Sequence, residues 1–272
     1  MSTFWFATQG ALFALYLALG GIDYGVAMLL PTMRGEPGRT AALNAIGPMF
    51  LGNEVWVVAA VGVLLAAFPG VESGLFTGAY PVLVVLLLGL VAISAAVQLR
   101  GRAGRRPVFD AVITGSGFVL AVGWGIVLAA LLSGDGWVTG AVFGLATGAL
   151  ALVQGATFLD RPYRRRLALV AAGPAALLAL FVSGLSLALV GLLLAALAVV
   201  ALTRSLLASS IAAALPVFVV GAAVRPEFLA SASGGHALRV LTIAAAPLLP
   251  LLVLAQVAGW WSARRRPYPV YW

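Results

Sequence analysis

Apolar runs, each about 20 residues long and parted by short polar stretches, constrain this chain more than any other feature. They lie at 4–30, 46–68, 75–99, 108–132, 136–159, 166–184, 186–203, 205–224 and 238–262. At 1.5 Å per helical residue, each reaches across a hydrocarbon core about 30 Å thick. In lipid a backbone must satisfy its own N–H and C=O groups, and a single segment does so only as a helix. The runs therefore predict an all-α, polytopic transmembrane protein of nine helices. With 63% hydrophobic and 9% charged residues, against about 25% charged in soluble domains, no water-soluble surface can be built. The longest connections, 31–45 and 225–237, are too short for a soluble domain, so 1–272 reads as a single integral membrane domain. Only Ser183-Gly184-Leu185-Ser186 divides the sixth run from the seventh, which leaves a re-entrant hairpin open there.

Charge placement tests the count. With the N-terminus outside and the chain alternating, the inner loops hold Arg34, Arg39, Arg100, Arg102, Arg105, Arg106, Arg161, Arg164, Arg165, Arg166 and Arg204, and the inner C-terminus holds Arg264, Arg265 and Arg266. That is fourteen inside against two outside, Arg225 and Arg239, of 16 basic residues. A miscounted helix would scramble this asymmetry, so it supports an odd number of helices and a cytoplasmic C-terminus. The net charge of +8 is thus assigned to orientation in the bilayer, with Arg164-Arg165-Arg166 and Arg264-Arg265-Arg266 contacting anionic lipid, and not to a nucleic-acid partner. Trp5, Trp137, Trp260 and Trp261 fall near run ends, where interfacial aromatics belong. Every basic residue is Arg, and with the abundant Ala, Gly, Leu and Val this points to a GC-rich, bacterial genome and to the cytoplasmic (inner) membrane. The absence of Cys excludes disulfides, thiolate metal sites and Cys-attached haem. Met1-Ser2-Thr3-Phe4-Trp5 has no basic n-region and reads as the start of the first helix.

Gly140, Gly144 and Gly148 form a small-xxx-small ridge, which predicts close helix packing. Pro174, Pro216, Pro247 and Pro250 lie inside spans and are expected to bend them.

Ionisable groups inside a membrane are costly and are functional candidates by default. Asp23 lies seven residues before the inner end of the first run, and Glu54 about eight after the inner end of the second. Both sit roughly 10–12 Å below the cytoplasmic surface. Asn53 adjoins Glu54, and Gln154 and Thr157 reach a comparable depth on the fifth run. Two readings stay open: a proton or ion path, or a hydrogen-bonded knot joining the three helices. His236 is the only His and sits in an outer loop, so it forms no metal site and no pair to hold a haem. Asp110, Asp135 and Asp160, at helix ends, are expected to be solvated. The chain carries no Walker loop, dinucleotide fingerprint or nucleophile elbow.

Several stretches resemble a known family. Gly21-Ile22-Asp23-Tyr24-Gly25-Val26-Ala27-Met28-Leu29 resembles its GFDFGVGML. Leu43-Asn44-Ala45-Ile46-Gly47-Pro48 resembles NTIGP, Gly52-Asn53-Glu54-Val55-Trp56 resembles the end of DGNEVW, and Ala66-Ala67-Phe68-Pro69 resembles AAFP. Gln154-Gly155-Ala156-Thr157-Phe158-Leu159 resembles QGATYL. The family is subunit II of cytochrome bd-type terminal oxidases. The resemblance implies two four-helix bundles plus one helix, and a place in a heterodimer that passes electrons from a donor, quinol in the family, to oxygen. It also implies that the haems sit in a partner, subunit I, that this chain binds no cofactor of its own beyond a quinone or lipid, and that small accessory membrane subunits could join. Subunit II in the family scaffolds its partner and contributes to a proton path from the cytoplasm. This chain departs at four titratable positions. Gly20 and Leu51 stand where the family has acids, the second being the acid assigned to proton conduction; Ile93 aligns with an Arg and Gln98 with another acid. The departures imply a non-catalytic subunit that is mainly scaffold, with a reduced or lost path. A small transporter or channel, or a membrane anchor of a different redox complex, are the alternatives.

Overall fold

A computed structural model describes residues 1–102, 106–132 and 136–265, with side chains described to residue 262. Arg105, Asp135 and Arg266, and the side chains of Arg264 and Arg265, therefore lie outside the described residues. Helix α1 spans Ser2–Leu29, and a 3-10 turn, Leu30–Thr32, follows it. The chain continues through α2 (Gly35–Ala67), α3 (Pro69–Gly78), α4 (Tyr80–Leu99), α5 (Arg106–Ala130) and α6 (Trp137–Phe158). Next come α7 (Arg164–Leu177), a second 3-10 turn at Leu178–Phe181, α8 (Leu185–Leu202) and α9 (Leu206–Ala230), then α10 (Gly235–Ala245) and α11 (Leu248–Arg265). Among the described residues there is no strand. Eight helices are long and apolar enough to cross a membrane, α10 and α11 counting as one.

The remaining run, the sixth at 166–184, takes a different form. Its α-helix is only 14 residues long, and the 3-10 turn adds four. Three Arg residues fill its first turn and Pro174 sits inside it, where the ring removes a backbone donor and crowds the preceding turn. With a 2.0 Å rise in the 3-10 part, the segment still extends about 29 Å. Gly184, at φ +57°, turns the chain into α8, a backbone conformation that suits glycine.

Other boundaries moved for readable reasons. The connection read at 31–45 is mostly helix, because α2 begins at Gly35 and its first turn carries Glu36 and Pro37, residue types favoured there. The run at 75–99 is broken at Ala79, just before Pro81, and the preceding stretch forms the separate α3. Pro247 separates α10 from α11, whereas Pro216 and Pro226 are both accommodated within α9.

Helices α6, α7, α8 and α9 pack as a closed ring, each against two neighbours. Helix α1 packs on α6 and α9 of that ring and on α2 and α5 of a second group, in which α5 also carries α4. The last helix pair flanks α2. The arrangement is four, four and one, with the group of α1, α2, α4 and α5 the more open. Glycines set its closest approaches. A Cβ on Gly25 would collide with the Ala151 carbonyl, and one on Gly155 with the Gly25 backbone, so α1 and α6 cross in direct backbone contact. The predicted ridge faces α5: a Cβ at Gly144 or Gly148 would lie 2.9 or 3.0 Å from Val122.

The Arg-rich ends meet on one end of the bundle. Arg106 pairs with Glu36, Arg204 with Asp160 at 2.9 Å, and Arg161 reaches Met33. At the other end Ser233 N–H donates to the Ala67 carbonyl at 2.9 Å, and Phe68 stacks edge-on against Phe228. Trp5 is an exception to the interfacial expectation. It is fully buried, and its indole N–H donates to Thr242 at 3.1 Å, tying α1 to α10. Trp137 is exposed.

Candidate functional site

Helix α1 positions most of the site. Its residues advance about 100° each, so Ala18, Gly21 and Gly25 line one face, while Tyr16 and Asp23, seven apart, share another. The glycine face lies against α6. Gln154 fills the space over Gly21, where a Cβ would strike its amide oxygen, and its Nε2 donates to the Ala18 carbonyl at 2.9 Å. Gln154 is completely buried, and among the described residues its Oε1 has no hydrogen-bond partner.

Asp23 faces the other way. Asn53 of α2 donates from Nδ2 to Asp23 Oδ2 at 2.8 Å, with both residues buried. The Asn53 carbonyl oxygen accepts from Gln256 Nε2 of α11 at 3.1 Å, and Gln256 Oε1 accepts from the Trp56 indole at 3.3 Å. An amide–carboxyl chain thus runs across α1, α2 and α11.

A second chain ends on Glu54, which is half-buried. Tyr24 donates its phenol hydrogen to Glu54 Oε1 at 3.3 Å. The Tyr16 hydroxyl contacts the Tyr24 hydroxyl and accepts from Trp124 Nε1 of α5 at 3.0 Å. Tyr16, Tyr24 and Trp124 are buried, and their rings pack edge-to-face, Tyr16 to Trp124 at 5.3 Å between centroids.

Asp23, Asn53 and Glu54 are therefore brought into one region, whereas Gln154 and Thr157 are not in hydrogen-bond contact with them. Thr157 spends its hydroxyl on the Val153 carbonyl of its own helix at 2.7 Å. Depth followed from counting residues; rotation about the helix axis did not. The reading of the sequence left out Tyr16, Trp124 and Gln256 and saw Tyr24 and Trp56 only as motif letters. Gln256, the one amide in the apolar α11, is the signal by which the sequence could have shown that this helix joins a polar site.

At the Arg-rich end, Asp110 corrects another expectation. It is buried, not solvated, because Arg100 donates from Nε to its Oδ1 at 2.5 Å and Arg39 from a terminal nitrogen to Oδ2 at 3.1 Å. Arg100 is itself buried, and its NH1 also donates to Thr40 at 3.0 Å, so it clamps α2, α4 and α5 and does not lie free in a loop. Asp160 is exposed as expected. His236 is exposed in the first turn of α10. Among the described residues no three His, Cys, Asp or Glu side chains converge as a metal site.

Of the four departures, Leu51 is exposed on the outer face of α2, Ile93 and Gly20 are buried, and Gln98 is exposed. Between α1, α2 and α11 lies an apolar groove of about 400 Å³, lined by Leu15, Leu19, Trp56, Val253, Gln256 and Trp260 among others.

Comparison with known proteins gives the same direction. The family profile described as cytochrome bd terminal oxidase subunit II matches residues 1–263. The chain is 34% identical over 99 residues to cytochrome bd ubiquinol oxidase subunit 2 of Bacillus subtilis, 36% of this chain and 29% of that one. It is 35% identical over 118 residues to probable cytochrome oxidase subunit 2 of Haemophilus influenzae, 42% of this chain and 31% of that one. With cytochrome bd-I ubiquinol oxidase subunit 2 of Escherichia coli K12 it shares 34% over 87 residues, 32% of this chain and 23% of that one. The matched stretch spans less than a third of each relative's own length.

Proposed function

The chain belongs to the cytochrome bd terminal oxidase subunit II family, and we propose that it is the haem-free, mainly scaffolding subunit of a bd-type oxidase in the bacterial inner membrane. The profile match over 1–263 is the observation that carries this reading. In it, a haem-binding subunit I takes electrons from a donor, quinol in the family, to oxygen, and this chain braces it. The single, exposed His236 supports placing the haems in the partner. The groove between α1, α2 and α11 is apolar with an amide and indoles at its wall, a lining that suits a lipid or quinone chain.

The proton path is reduced in this proposal to Asp23, Asn53 and Glu54. Leu51, on the outer face of α2, offers no carboxyl where the resemblance calls for one. The N-terminus lies outside and the Arg-rich end of the bundle faces the cytoplasm.

Purification from native membranes, with redox difference spectroscopy and identification of co-purifying chains, tests the subunit reading. A haem-bearing membrane partner is expected; a haem-free preparation without such a partner overturns it. Expressed alone, the chain should show no Soret absorbance. A C-terminal reporter active only in the cytoplasm should work. For the path, Leu51→Asp should leave turnover of the complex unchanged or lower it, and a gain would show that the subunit conducts more than it braces.

A further inference from the structure

The phenol chain on Glu54 has an orientation fixed by counting hydrogens. A phenol carries one hydrogen and can accept, whereas an indole N–H donates only. Tyr24 gives its hydrogen to Glu54 Oε1, so the Tyr16–Tyr24 contact must be donated by Tyr16. Trp124 supplies the hydrogen that Tyr16 accepts. Every donor therefore points from α5, through α1, to the carboxyl on α2.

The reverse orientation is closed. If Glu54, once protonated, donated to Tyr24, and Tyr24 to Tyr16, the Tyr16 hydrogen would need an acceptor. Among the described residues its hydroxyl has two partners, Tyr24 and Trp124, and Trp124 cannot accept. A buried donor left without an acceptor gives up its hydration with nothing in return. A proton relay needs each link to accept on one side, donate on the other, and then turn round. This chain can do neither at its Trp124 end.

We propose that Trp124, Tyr16 and Tyr24 form a one-way, dead-ended donor chain that positions Glu54, so that Glu54 takes up and releases its proton away from the chain. In uptake, an O–H bond of hydronium from the aqueous side breaks, its electron pair staying on the water that leaves, and the Glu54 carboxyl O–H forms, neutralising its charge; release is the reverse. No proton passes through Tyr16. Tyr24 is then a positioning residue, standing where the family pattern GFDFG has a ring without a hydroxyl. The inference rests on reading Glu54 as part of the proton path.

The test uses the purified complex with Glu54→Gln, Tyr24→Phe, Tyr16→Phe and Trp124→Phe, reading turnover against pH and the infrared carboxyl band that Glu54→Gln removes. Tyr24→Phe and Tyr16→Phe keep their rings, so the packing stays, whereas Trp124→Phe gives up part of the indole ring along with its N–H and is read by the band and the pH profile. A positioning chain gives effects that fade with distance. Glu54→Gln should lower turnover about tenfold or more. Tyr24→Phe should lower it about three- to tenfold and shift both the pH profile and the band, the loss of one hydrogen bond. Tyr16→Phe should cost less than about twofold, and Trp124→Phe less still. Equal losses in Tyr24→Phe and Tyr16→Phe would show a through-wire and overturn the proposal. So would an unshifted band in Tyr24→Phe. If Glu54→Gln leaves the pH profile unmoved, the proton-path reading fails by itself. The chain is then decided by the band alone: shifted in Tyr24→Phe it positions Glu54, unshifted it does not.

Discussion

The protein holds acids inside its helices in two contrasting ways. At the Arg-rich end, Asp110 is gripped by two guanidinium groups, from Arg100 and Arg39, and Arg100 is secured further by Thr40. Deeper in the helices, and among the described residues, Asp23 and Glu54 are met only by neutral donors, an amide from Asn53 and a phenol from Tyr24. In the first arrangement the carboxylate faces cations. In the second, the carboxyls have hydrogen bonds but no countercharge among their partners. The contrast separates an acid held by cations from acids held by neutral donors.

Breaking the clamp should have the largest effect. Asp110→Asn leaves a buried guanidinium without its countercharge, and loss of one partner of a buried pair costs about 3–5 kcal/mol. A marked fall in the thermal unfolding midpoint of the detergent-purified protein is expected. Arg100→Met combined with Asp110→Leu should recover most of it, since removal of both charges removes the imbalance.

The next largest effect should come from Gln256→Leu. It deletes two hydrogen bonds, to Asn53 and from Trp56, each about 0.5–1.5 kcal/mol. The loss should appear as earlier protease cleavage of α11, with the remaining helices still protected.

Asp23→Asn and Glu54→Gln should be gentler on stability, each within about 1 kcal/mol, because an amide keeps an acceptor oxygen for the same donor. A drop in unfolding midpoint as deep as that of Asp110→Asn would abolish the distinction between the two regions.

Thr157→Val should matter least, below about 0.5 kcal/mol in thermal unfolding, since the hydroxyl serves only the carbonyl of Val153 one turn back. A large loss would mean that Thr157 belongs with the bridging acids after all.

Legibility in the sequence followed the same division. The spans were readable because about 20 apolar residues announce a helix in lipid regardless of what surrounds it. Depth was readable too, which is how Asp23, Asn53 and Glu54 were picked out together. Azimuth was not. Gly21 and Asp23 are two residues apart and so face nearly opposite directions; this put Gln154 against Gly21, away from Asn53. The clamp was hidden for another reason. Asp110 and Arg100 sit ten residues apart across a loop, and a loop's course cannot be inferred from its charges. Tyr16 and Trp124 looked like ordinary apolar filling, since a single hydroxyl or indole N–H hardly alters a hydrophobic run.

The link through Gln256 also dates the site. Helices enter the bilayer in the order in which the ribosome makes them. Asp23 and Asn53 are 30 residues apart and can meet early, whereas Gln256 follows Asn53 by 203 residues. Until α11 arrives, the Asn53 carbonyl lacks the donor that completes its network. A span made much later therefore closes a site begun by α1 and α2, and a chain interrupted before α11 would carry an open polar patch by which the cell could tell such copies from those that contain it.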